Sequence, residues 1–75
     1  MTKQHTLSHK EWQLVQLMRE GRHIRIVELA GGGYAGVLEN AQGHVWGGTI
    51  RLHVICNLEW LNYIKREGNI YRINT

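Results

Sequence analysis

The sequence predicts a single α+β domain, and three observations carry that expectation. Ser8 and Glu11 stand at the S-x-x-E spacing of a helix-opening capping box, directly ahead of an apolar stripe. Between Gly21 and Gly48, short alternating apolar–polar runs are separated by turns rich in glycine and asparagine. Near the carboxyl end, two further alternating runs flank Gly68-Asn69, a two-residue loop in which Gly supplies positive φ and Asn tolerates it.

The first helix is well marked at both ends. Leu7 and Trp12 fall at the two positions of a hydrophobic staple, Trp12, Val15 and Met18 recur at three-residue intervals, and Leu14 and Leu17 widen the stripe. Gly21 is a suitable C′ stop. A three-stranded meander follows. His23 to Leu29 alternates, with Ile24 and Ile26 on one face and Arg25 on the other, before Val27 and Leu29 shift the pattern. Gly31-Gly32-Gly33 turns the chain, Tyr34 to Glu39 returns it, Asn40-Ala41-Gln42-Gly43 turns it again, and His44-Val45-Trp46 goes back out. Gly36, Gly47 and Gly48 weaken these runs and leave their register open.

Thr49 to Val54 fits two periods. Ile50, Leu52 and Val54 alternate as in a strand, whereas Ile50, Val54, Leu58 and Leu61 form a helical stripe. The longer stripe favours a helix from about Ile50 to Asn62 with Thr49 as its N-cap. The hairpin beyond it sets Glu67 opposite Ile70, Arg66 opposite Tyr71, Lys65 opposite Arg72 and Ile64 opposite Ile73. A helix running straight into a basic hairpin is a helix-plus-wing unit. The expected architecture is therefore winged-helix-like over residues 1–75: an amino-terminal helix, a short antiparallel meander, a second helix and a carboxyl-terminal β-hairpin wing.

Composition narrows the function. Nine Lys and Arg stand against six acids, all Glu, for a formal charge of +3, which suits an anionic partner without demanding one. Seventy-five residues bury a thin core, so homodimerisation is a natural supplement. Cys56 is alone, which excludes an intrachain disulfide and suits a reducing compartment; burial among apolar neighbours is its expected role. No membrane-spanning run or signal-peptide core is read, so a cytoplasmic location is expected.

Catalysis is the poorest hypothesis. Asp is absent, Ser8 is the only serine, and Cys56 has no evident supporting base, so no nucleophilic set emerges. His5, His9, His23, His44 and His53 are scattered and read as solvated side chains. His53 and Cys56 share a helix face, but two ligands do not close a zinc site, so neither metal nor cofactor is expected. Gly31 to Gly36 satisfies G-x-G-x-x-G, yet the next segment turns again instead of opening the helix that a pyrophosphate needs. Those glycines are turn punctuation.

The basic hairpin and the second helix supply the candidate contact residues: Lys65, Arg66 and Arg72 on the wing, Arg51 and Asn57 facing outward from the helix. Lys65 directly opposite Arg72 is unfavourable by a few tenths to about 1 kcal/mol. Two readings stay open: the pair is kept for a phosphate or acidic surface, or Glu67 on the same face neutralises it. An exposed Trp46 or Trp60 is suited to stacking or to anchoring a partner. With no Phe in the chain, tryptophan is the more expected core aromatic.

Three stretches carry a family likeness: Leu7-Ser8-x-x-Glu11, Val15, Leu17 and Gly21-Arg22-x-Ile24 at the start, Val37-Leu38-Glu39 in the middle, and Leu52-x-Val54, Leu58, Ile64-Lys65 and Tyr71-Arg72-Ile73-Asn74-Thr75 at the end. In these residues the chain resembles the YjhX-like toxin family, small bacterial proteins that include a topoisomerase I inhibitor. The resemblance is patchy, and its residues are mostly fold-determining. It implies a non-enzymatic inhibitor that docks on a nucleic-acid-processing enzyme and is paired with an antitoxin. A dimeric DNA-binding regulator and a phage anti-defence inhibitor are the alternative readings.

Overall fold

The computed structural model describes residues 7–74; His5, the segment read for a signal peptide and Thr75 lie outside them. The element order is α1 (His9–Arg19), β1 (His23–Glu28), β2 (Tyr34–Glu39), β3 (Val45–Ile50), α2 (Leu52–Trp60), β4 (Ile64–Glu67) and β5 (Ile70–Ile73). The strands form one antiparallel sheet in the order β3-β2-β1-β5-β4. The meander and the hairpin are thus joined through β1 and β5. Ile24 pairs with Tyr71, and the Ile26 amide donates to the Asn69 carbonyl at 2.9 Å. The hairpin is hydrogen-bonded into the sheet instead of standing free of it.

Helix α1 starts where the capping box places it. The Glu11 amide donates to Ser8 Oγ at 3.2 Å, and the Ser8 amide donates to Glu11 Oε1 at 2.9 Å. Gly21, at φ 104°, provides the left-handed exit. The face that α1 buries is Leu14, Val15 and Met18, while Trp12 turns outward and carries the Arg19 guanidinium 5.5 Å above its ring. The expected stripe through Trp12 is therefore rotated toward Leu14.

Helix α2 begins later than expected. Thr49 and Ile50 complete β3, and Arg51, not Thr49, is the N-cap. Of the alternating Ile50, Leu52 and Val54, only Ile50 belongs to the strand, which ends there; Leu52 and Val54 lie in the first turn of α2. Strand β3 also extends beyond His44–Trp46 by accommodating a bulge: Thr49 faces Val37, Trp46 faces Leu38, and Gly47 and Gly48 are looped out between them, Gly47 at φ 61°. The exit of α2 is a Schellman motif. The Tyr63 amide reaches the Leu58 carbonyl at 3.0 Å and the Asn62 amide the Glu59 carbonyl at 2.9 Å, with Asn62 at φ 67°.

Both helices pack on one face of the sheet. The core joins Leu14, Val15 and Met18 of α1 and Ile55 and Leu58 of α2 to Ile24, Leu38, Ile64 and Tyr71 of the strands. The stripe on α2 is centred on Ile55 and Leu58, with Val54 partly buried. Cys56, one step round from Ile55, is exposed, which corrects the buried thiol expected from its apolar neighbours. Tryptophan is not the core aromatic either. Trp60 is 76% and Trp12 42% exposed, while Tyr71 is buried and Ile, Leu, Val and Met fill the layer between helices and sheet. Among the described residues, no helix is long and apolar enough to cross a membrane.

Candidate docking groove and the basic hairpin

The hairpin register is the one the two-residue loop dictates: Ile64 opposite Ile73, Lys65 opposite Arg72, Arg66 opposite Tyr71 and Glu67 opposite Ile70. Alternation then puts Ile64 and Tyr71 on the helix-covered face and Lys65, Arg72 and Glu67 on the open one. Glu67 lies between the two opposed cations, accepting from Arg72 Nε at 2.9 Å and standing 3.9 Å from Lys65 Nζ. Arg66 stays exposed on the helix-covered face, where its Nε donates to the Gly68 carbonyl at 2.8 Å and ties the side chain to its own turn.

The five residues singled out from the sequence do not form one surface. Lys65 and Arg72 share the open sheet face, and Arg66 lies on the other face of the same strands. Arg51 sits at the start of α2 beside β3, on the sheet edge opposite β4. Asn57, in the exposed part of α2, bridges the helices by donating from Nδ2 to Glu11 Oε2 at 3.4 Å. It serves the helix contact, which the outward reading of α2 missed because Glu11 is 46 residues away in sequence.

Beside these, α1, β3 and the start of α2 leave a groove of about 840 Å³ between them. Its floor is apolar: Leu17, Trp46, Ile50 and Val54 are only partly buried against the core, with Leu14 and Leu38 beneath them. Lys10 on α1 and Arg51 and His53 on α2 line its rim together with Glu11, whose carboxylate is already engaged by the Ser8 amide and Asn57. Neither Lys10 nor Arg51 makes an ion pair among the described residues. Trp46 is held from behind by Arg22, whose guanidinium stacks 3.9 Å from the ring centroid while its Nη1 donates to Glu20 at 2.6 Å. Lys10, Leu17 and Trp46 are brought together only by folding, which is why sequence spacing did not reveal this groove.

A third cluster occupies the open sheet face. Glu39, buried at the end of β2, accepts from Arg25 Nε at 2.9 Å and lies 3.1 Å from His23 Nε2. Burial pushes its carboxyl upward, but the hydrogen bonds and charges of Arg25 and His23 outweigh this and hold it below the ordinary carboxylate range. The cluster explains a buried acid by pairing it, so it reads as structural. Among the described residues no group of three or more His, Cys, Asp or Glu is placed to hold a metal ion.

The geometry defines a small α+β domain with a bordered apolar groove and a partly neutralised basic hairpin. No protein-family model, curated protein or solved structure matches the chain.

Proposed function

We propose that the protein is a non-enzymatic binding protein of toxin or mobile-element type, which inhibits a nucleic-acid-processing enzyme by docking on it through the groove between α1, β3 and α2. The observation that carries this reading is the contrast between two sets of cations. Lys65 and Arg72 of the hairpin are answered internally by Glu67, whereas Lys10 and Arg51 make no ion pair among the described residues and stand beside an apolar floor. A bordered apolar surface of this kind suits a protein partner, because apolar contact supplies affinity and rim charge supplies orientation.

The inhibitory role and the enzyme class rest on the sequence resemblance to YjhX-like toxins, which makes a type I topoisomerase the first target to try. In the winged-helix-like description of the chain, α2 and the β4–β5 hairpin are the helix and wing; of the residues read from the sequence, Arg51 lines the groove, while Lys65, Arg66 and Arg72 lie on the hairpin at the far side of the sheet. Direct DNA binding has less support, because Lys65 and Arg72 share one carboxylate and carry a smaller field toward phosphates.

A supercoil-relaxation assay tests the proposal. Wild type is expected to slow relaxation by a bacterial type I topoisomerase, and Val54→Glu, which puts a charge on the groove floor, is expected to remove the effect while circular dichroism stays unchanged. Full relaxation at a large excess of wild type would dispose of this target. A mobility shift on duplex DNA that weakens steeply with salt would favour the regulator reading instead.

A further inference from the structure

We infer that the groove binds an acidic amphipathic α-helix, laid with its apolar face on Leu17, Trp46, Ile50 and Val54 and its carboxylates toward Lys10 and Arg51. The inference rests on the docking reading above and names the chemistry of the partner segment. Size comes first. An α-helix with side chains is about 10 Å across and rises 5.4 Å per turn, so the groove of about 840 Å³ matches roughly two helical turns.

Backbone chemistry selects helix over strand. An extended segment would have to add to β3, the neighbouring sheet edge, but the bulge at Gly47 and Gly48 interrupts that strand's ladder beside the groove. A continuous row of main-chain bonds is not on offer there. A helix satisfies its own backbone and asks the groove only for apolar contact and charge.

Electrostatics select the sign. Lys10 and Arg51 flank the floor without ion pairs among the described residues; Glu11, the one acid among the described lining residues, keeps its charge although hydrogen-bonded, so the rim sets two cations against one carboxylate. The start of α2 adds to the positive field: Arg51 makes no side-chain cap, and the first turn contains no acid. Carboxylates along a partner helix would meet Lys10 on the α1 side of the groove and Arg51 on the α2 side. A second copy of this chain is the poorer fit, since an isologous contact across the groove would bring the two basic rims together.

The test uses the whole chain with Trp12→Phe and Trp60→Phe, leaving Trp46 as the single indole, and two synthetic helical peptides of about 18 residues, or five turns. Both peptides carry the same leucine stripe; one is flanked by Glu and the other by Lys. The acidic peptide is expected to shift Trp46 emission to the blue and saturate, binding about tenfold more tightly than the basic one at low salt, with the gap narrowing at high salt. Lys10→Glu with Arg51→Glu is expected to reverse the preference, and Val54→Glu to abolish both signals. Equal affinity for the two peptides, absence of saturable binding, or an unchanged preference in the charge-reversed variant would overturn the inference. So would sedimentation showing a dimer whose dissociation alone exposes Trp46, since the occupant would then be a second copy. The relaxation assay reads the inhibited enzyme and the peptide pair reads only the groove, so either can fail without the other.

Discussion

Gly36 of β2 faces Ile55 of α2 so closely that a Cβ built on the glycine would lie 2.6 Å from Ile55 Cδ1 and 2.6 Å from Ile24 Cγ2. This near-contact lets α2 lie flat on the middle of the sheet, and the helix reaches from the β3 edge to β4 across it. The groove is the space left on the β3 side, between the start of that helix and α1.

Gly36→Ala is therefore expected to destabilise the fold by about 1–3 kcal/mol, the usual cost of overpacking a well-filled core. Gly31→Ala, where nothing lies within 4 Å of the added Cβ, is the matched control and should stay within about 0.5 kcal/mol. Urea denaturation of both variants checks this. A cycle with Ile55→Val, which removes one of the two crowding methyls, should recover part of the loss. Equal stability of the two alanine variants would show that α2 sits farther from β2.

Glu39 gives the fold an acid-sensitive point. Its carboxyl is depressed in the folded chain because Arg25 and His23 outweigh its burial, so its contribution is present above the ordinary carboxylate range and is lost as pH falls through the folded value. Glu39→Gln is expected to cost about 1 kcal/mol near neutral pH, where the charged hydrogen bonds are intact. Below about pH 4 the gap between wild type and variant should close. Thermal melts across a pH series measure both, and a gap independent of pH would mean that the pairing carries no linkage.

Glu67 is expected to act as the neutraliser of the hairpin. Glu67→Gln leaves Lys65 directly opposite Arg72, and because all three side chains are about half exposed the cost should be only a few tenths to about 1 kcal/mol, larger at low salt. Adding Lys65→Gln should return part of it. Urea midpoints at low and high ionic strength test the sign. A more stable Glu67→Gln variant would indicate that the pairing confers no benefit.

Much of this architecture was legible because it is written in neighbouring residues. The capping box of Ser8 and Glu11, the Gly21 exit, the span of β2 and the register across Gly68-Asn69 depend on contacts within a few positions, so spacing and turn chemistry were enough. The α2 boundary was harder. Its apolar residues satisfied both periods, and only pairing of Thr49 with Val37 and Ile50 with Gly36 assigned the first of them to β3. Cys56 and Trp12 were misjudged for a related reason: which residues of an apolar helix turn inward depends on where the helix is laid, and neighbours in sequence do not encode that.

By itself, then, the chain specified most of its local elements and its charge balance, because each follows from residue type and short-range geometry. Tertiary structure alone decided that the hairpin joins the meander in one sheet, that Glu67 answers Lys65 and Arg72, and that Lys10 and Arg51 border a common apolar groove. The first and last of these arise where distant segments compete to bury the same limited apolar surface, so they depend on how all of them pack together; the Glu67 pairing depends on how three exposed side chains lie across one hairpin.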